Sequence, residues 1–148
     1  MGLENNQLQR PDPAGLDPVD AVLRQDKAWR SDDIDFPAWL STLNIPVCLL
    51  SNGRMRLLKT EEDVISDLRR TQKRARAAGV VGLRTTILSH IQPAENLSII
   101  ASIRQHIGTD GQVISASSIT WNVVNLDGHW RISQMVMDDP IYDLRFGD

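Results

Sequence analysis

Hydrophobic spacing changes once along this chain. Up to Gly79, apolar positions recur every three to four residues; from Gly82 onward they alternate with polar ones. The first spacing lays a stripe on a helix and the second lays a face on a strand. Asp17-Pro18 reads as an N-cap followed by proline at the first helical position, where a missing N–H has no cost. Val19, Val22 and Leu23 carry that helix toward Arg30, and Ser31-Asp32-Asp33 interrupts it. Asp35 and Pro37 open a short second helix holding Phe36, Trp39, Leu40 and Leu43. The apolar runs 46–50 and 54–58 flank Ser51-Asn52-Gly53, a hairpin signal. Thr60 caps a long helix with Glu61, Glu62 and Asp63 in its first turn; Val64, Ile65, Leu68, Ala75 and Ala78 form its stripe. Gly79 supplies its C′ residue.

The alternating half predicts four strands, at 82–92, 95–107, 112–125 and 129–138, with Pro93 breaking the first pair. Asp110-Gly111 and Asp127-Gly128 mark the next two turns, because a type I′ turn needs positive φ at both central residues. Long consecutive strands joined by tight turns make an antiparallel meander. The fold class is α+β, with residues 1–16 as a loose tail, one domain over 17–140 and a second tail at 141–148.

The turns predict a register. A two-residue Asp127-Gly128 turn pairs Leu126 with His129, and then Val123 with Ile132, Trp121 with Gln134, Ile119 with Val136 and Ser117 with Asp138. The face with Trp121, Ile119 and Trp130 is bulky and apolar, with Gln134 and Asp138 as polar exceptions; it is the candidate concave face. Asn122, Thr120, Arg131, Ser133, Met135 and Met137 take the opposite face, whose mixed character suits an interface. A two-residue Asp110-Gly111 turn would set Arg104 beside Ser117, with His106 on the same concave face. A three-residue turn would flip every side chain and turn Leu97, Ile99, Ala101 and Ile103 inward instead. The second register separates apolar from polar residues more cleanly.

Composition narrows the function classes. A net charge of −3 gives no general attraction to nucleic acid or to an anionic membrane. Cys48, the single cysteine, has no internal disulfide partner. There is no run of ~20 apolar residues for a membrane span, and the polar N-terminus lacks the apolar core of a secretion signal. The reading is a cytoplasmic protein.

The order of elements, with Asn125-Leu126-Asp127-Gly128-His129-Trp130-Arg131-Ile132 near the end and Pro46…Gly53-Arg54…Thr60-Glu61-Glu62 earlier, resembles the nuclear-transport-factor-2-like superfamily. Within it the chain resembles the SnoaL-like group, over residues 17–140. The resemblance implies a cone: a strongly curved sheet around a cavity, closed by the N-terminal helices. It also implies a homodimer formed through the outer sheet face. Superfamily members include isomerases, dehydratases, epoxide hydrolases, ligand binders and structural subunits, so the fold leaves function open. Catalytic relatives often carry an acidic residue or a tyrosine near the end of the second helix and first strand. Here that stretch is Leu43-Asn44-Ile45-Pro46-Val47-Cys48, and the one tyrosine, Tyr142, lies beyond the last strand.

Candidate chemistry is sparse. Asp138 on an apolar concave face would act as a general acid or base, with His90 as a proton shuttle, against the plainer reading of a solvated strand-end aspartate. Trp39, Trp121, Gln134, Arg104 and His106 are candidate ligand contacts, although tryptophans serve equally well as core. Neither histidines nor cysteine show metal-ligand spacing, and no phosphate loop or dinucleotide fingerprint occurs, so no metal or cofactor is expected. The run Arg69, Arg70, Lys73, Arg74, Arg76 follows three acidic residues on one helix and reads as complement to the helix dipole. Three readings follow: a homodimer that binds a small, largely apolar molecule in its cone, a proton-transfer enzyme using Asp138, and a partner-binding dimer with a filled cone.

Overall fold

A computed structural model describes residues 17–138 apart from residue 31. The two expected tails, Asp139 and Tyr142 lie outside the described residues. Helix α1 spans Pro18–Ala28 and begins at Asp17, whose side chain accepts from the Val19 amide at 2.8 Å. Helix α2, Phe36–Ser41, is capped by Asp35. Helix α3, Glu61–Ala77, starts with a capping box in which Thr60 and Asp63 each accept the other's backbone N–H. The strands are β1 Leu43–Ser51, β2 Arg54–Leu58, β3 Gly82–Ala94, β4 Leu97–Ile107, β5 Val113–Leu126 and β6 His129–Asp138. Thus β1 starts three residues before Pro46, and β3 runs through Pro93 rather than stopping before it. That proline belongs to an edge strand, where a missing donor is tolerated.

All six strands form one open curved sheet in the order β2-β1-β6-β5-β4-β3. Every pairing is antiparallel except that of β1 with β6. This α+β cone carries its helices on the concave side, where Val22, Trp29, Trp39, Val64 and Leu68 meet Ile100, Trp121, Val123 and Ile132 in one core. Burying each of the larger aliphatic side chains contributes about 1.5–3 kcal/mol. Among the described residues, no helix is long and apolar enough to cross a membrane.

Among the register shifts of the sheet, two decide the faces of Gln134, Asp138, Arg104 and His106. The Asp127-Gly128 turn has positive φ at both positions, and Leu126 pairs with His129 and Val123 with Ile132 as expected. Beyond them Ser133 is extra in β6, so Asn122 pairs with Gln134, Trp121 with Met135, Ile119 with Met137 and Ser118 with Asp138. One added residue flips every later side chain. The expected positions of Gln134 and Asp138 on the concave face are therefore corrected. Met135 and Met137 are buried inside, whereas Asp138 is exposed on the outer face.

The second bulge sits after the β4–β5 loop. Gly108 donates to the Gln112 carbonyl at 2.8 Å, and Ile107 pairs with Val113, the geometry of a three-residue turn with Gly111 at φ +80°. Asp110 is not at positive φ, so this is not the type I′ turn expected of it. One extra residue at Ile114 then restores the other parity: His106 pairs with Ser115 and Arg104 with Ser117. Arg104 and His106 face inward, and Leu97, Ile99, Ala101 and Ile103 lie on the outer face. The register that sorts apolar from polar residues more cleanly is not the one adopted.

Candidate functional site

Cross-strand rows place the site. Thr85, Arg104 and Ser117 form one inward row, and Leu83, His106 and Ser115 form the next. A third inward row runs His90, Ile100, Trp121, Met135, Leu49, Arg56 across all six strands. Between these rows and the helices lies a cavity of ≈ 70 Å³, measured at the centres of water-sized molecules. One water needs only ~10–15 Å³ on that measure. The sheet contributes Val47, Leu49, Ile119, Met135 and Met137 to its wall. Helix α3 contributes Val64, Asp67, Leu68, Thr71 and Ala75, and Trp29 and Trp39 close the side nearest α1 and α2.

Arg104 is the main polar feature of the wall. Its side chain is 5 % exposed, and its guanidinium carbon lies 4.9 Å from the centroid of Trp121 and 5.9 Å from that of Trp39. Two aromatic faces thus attract its charge within an otherwise apolar setting. Its edge is tied to α1 and β3. Nε donates to Thr85 Oγ1 at 2.9 Å, Nη1 donates to Gln25 Oε1 at 3.2 Å, and Nη2 lies 3.3 Å from Asp26 Oδ1. Thr85 in turn donates its hydroxyl and its amide to Asp26 at 2.8 and 2.7 Å. Gln25 donates to Thr42 Oγ1 at 3.1 Å, and Thr42 donates to the Trp39 carbonyl at 2.7 Å. These contacts hold the arginine in place before anything binds.

His106 is 2 % exposed, with Nδ1 2.7 Å from Ser115 Oγ and Nε2 3.4 Å from Ser117 Oγ. Asp67, on the α3 wall, has one oxygen 3.4 Å from both Arg56 Nη1 and Arg70 Nη2. Arg56 comes from the inward row of the sheet, so this contact joins helix to sheet at the cavity wall.

Of the residues expected from the sequence, Trp39, Arg104 and His106 line the cavity. Trp121 stands behind it, fully buried, with its indole N–H donated to Ser102 at 2.7 Å. Gln134 is on the outer face, accepting from Asn122 Nδ2 at 2.6 Å. His90 lies exposed toward the edge of the sheet, with Nε2 3.1 Å from Ser98 Oγ. His90 and Asp138 are on opposite faces, so the expected acid–base pair is not assembled: an extra residue at Leu88 turns His90 inward and one at Ser133 turns Asp138 outward. Cys48 is half-buried, paired with Gln134 and Leu57 on the outer face. Among the described residues no group of three or more His, Cys, Asp or Glu could hold a metal ion.

Gln25, Asp26 and Asp67 were not singled out from the sequence, and Met135 and Met137 were expected on the opposite face. A signal for Asp67 existed: Val64, Leu68, Thr71 and Ala75 share its helical stripe, and an acid on an apolar stripe is a buried acid. The two methionines had none, since only the bulge turns them inward.

Residues 24–140 match the family model described as "NTF2-like protein (DUF6841)". None of the curated proteins matches the chain. Among solved structures, an NTF-2-like protein of unknown function from Shewanella oneidensis MR-1 superposes with a TM-score of 0.64 at 18 % identity, covering 82 % of this chain and 95 % of that one. A protein of unknown function with a cystatin-like fold from Nostoc punctiforme gives 0.59 at 15 %, covering 82 % and 88 %. A ketosteroid isomerase-like protein from Erwinia carotovora atroseptica gives 0.55 at 14 %, covering 82 % and 92 %. Identities this low speak for the fold alone.

Proposed function

The chain belongs to the NTF2-like family of that model, and from this premise we propose that its cone binds a small, largely apolar molecule. The observation that carries the reading is the cavity itself. It is walled by Trp39, Leu49, Val64, Ile119, Met135 and Met137, with Arg104, His106, Asp67 and Thr71 as its few polar groups. Concave, mostly apolar sites with few oriented polar groups are the usual form of a small-molecule site. Without Asp138 near the cavity, the proton-transfer reading lacks its acid–base group, and the binding reading is the better supported.

The methyl groups of Met135 and Met137 report on the site directly. In ¹³C-methyl-methionine spectra, toluene is expected to shift both resonances in a saturable way, and Ala75→Leu, which narrows the cavity from the helix side, is expected to weaken that response. No shift up to the solubility limit of toluene refutes the reading.

We also propose that two copies pair through the outer sheet face. One outward row runs Ile91, Ile99, Asn122, Gln134, Cys48, Leu57 from edge to edge. Ile91 is 58 % and Leu57 47 % exposed, which leaves apolar surface for a partner to cover. Light scattering at micromolar concentration tests this: a dimer mass is expected, and a monomer mass overturns it.

A further inference from the structure

We infer that the molecule this cone takes carries a carboxylate, held at the end of the cavity formed by Arg104 and Trp29. The inference rests on the apolar-cavity reading and adds the chemistry of the ligand's polar end.

Donors and acceptors on the cavity wall are unequal. Arg104 and Trp29 are donor-only groups: a guanidinium and an indole N–H have no lone pair to offer. Trp29 is 7 % exposed and lines the cavity, yet its buried Nε1 has no hydrogen-bond partner among the described residues. A buried donor left unpaired is a cost that a folded protein rarely carries without a use. On α3, one oxygen of the Asp67 carboxylate lies 3.4 Å from both Arg56 and Arg70, and the Thr71 hydroxyl donates to the Asp67 carbonyl at 3.0 Å.

The side chains that carry these donors are both in contact with Trp39. The Trp29 and Trp39 ring centroids are 6.2 Å apart, and Arg104 lies over Trp39 at 5.9 Å. Indole, indole and guanidinium therefore form one continuous patch. A group of acceptors alone, with negative charge, complements that patch; a carboxylate supplies both. The apolar remainder of such a molecule would rest on Met135, Met137 and Ile119, which a bare inorganic anion would not use. Asp26 already lies 3.3 Å from Arg104 and accepts from Thr85 at 2.7 and 2.8 Å, so a ligand carboxylate would share the arginine with it.

The test compares phenylacetate, its neutral isostere phenylacetamide, and toluene, each titrated into the full chain at pH 7 by calorimetry and by the methionine methyl signals. A charge-assisted pair is expected to make phenylacetate bind about 10-fold or more tighter than phenylacetamide. Trp29→Phe keeps the ring and removes the donor, and is expected to weaken phenylacetate by about 3- to 10-fold with toluene unchanged. Arg104→Gln is expected to bring the acid-to-amide ratio near one. Arg104→Lys should keep part of it, since a point charge lacks the fork geometry. Equal or tighter binding of the amide by the wild-type chain overturns the carboxylate inference while leaving the apolar-cavity reading intact. Binding by none of the three, with unmoved Met135 and Met137 methyl signals, overturns both. The wild-type ratio decides the matter even where an arginine variant fails to fold.

Discussion

Removing Asp26 should be among the most damaging single changes in this protein, although the residue is on a surface-lying helix. Asp26 and Arg104 have side chains 16 % and 5 % exposed, 3.3 Å apart. Taking one partner from a buried ion pair leaves the other charge uncompensated, at a cost of about 3–5 kcal/mol. Asp26→Ala also strips the acceptor from the Thr85 amide and hydroxyl, at 2.7 and 2.8 Å. A buried donor left unpaired costs ~1–3 kcal/mol. Water can reach part of the vacated site because Asp26 is not wholly enclosed, which favours a total of about 4 kcal/mol over the sum of these terms. In a chain of this size that corresponds to a fall in Tm of about 10 °C. Arg104→Met should cost less, about 1–3 kcal/mol, because the Asp26 carboxylate left behind is the more exposed partner and still accepts from the Thr85 amide and hydroxyl. The double variant should then be more stable than Asp26→Ala alone. Urea unfolding followed by tryptophan fluorescence measures all three, and a double-mutant cycle gives the coupling, expected above about 1 kcal/mol. A loss below 1 kcal/mol for Asp26→Ala, or additive single effects, would refute the claim that this pair anchors the strand to the helix.

Three further changes test other parts of the structure. Asp138→Asn, on the exposed outer face, should alter stability by no more than about 0.5 kcal/mol and leave toluene binding unchanged; a loss of binding would place the carboxylate in the cavity after all. Ser102→Ala takes the acceptor 2.7 Å from the fully buried Trp121 indole N–H and should lower unfolding free energy by about 1–3 kcal/mol in the same urea assay. Thr60→Ala breaks the capping box of α3 and should cost about 1 kcal/mol, with reduced amide protection confined to that helix's first turn in hydrogen exchange.

Local signals in the sequence carry the elements well. Asp17, Asp35 and Thr60 cap the three helices as their chemistry requires, and the Asn52-Gly53 and Asp127-Gly128 turns adopt the positive φ that favours those residues. Each of these is decided within a few residues of chain, so no distant partner can change it. Trp39, Arg104 and His106 were also recognisable as candidates for the cavity wall, on side-chain type and on one of two open registers. The family to which the chain belongs is written in the same local features and their order.

Which face the candidate residues of β4 and β6 take was decided by two single-residue insertions in the ladder. At Ser133 a bulge moved Asp138 and Gln134 out and Met135 and Met137 in; at Ile114 a bulge cancelled the flip that the Thr109-Asp110-Gly111 turn had introduced. Alternation along one strand has no record of how many residues its neighbour uses over the same length. The energy that selects the bulge belongs to the packed core: Trp121 against Met135 and Ile119 against Met137, with Arg104 held among Asp26, Thr85 and Gln25. Those partners come from helix α1 and four different strands, brought together only when the sheet curves over the helices. The sequence by itself determined the helices, the Asn52-Gly53 and Asp127-Gly128 turns and the order of the strands, because their energetics are local. Only the tertiary structure decided the register beyond each bulge, and with it the site, because inward and outward differ by one residue of pairing whose energy lies in contacts far apart along the chain.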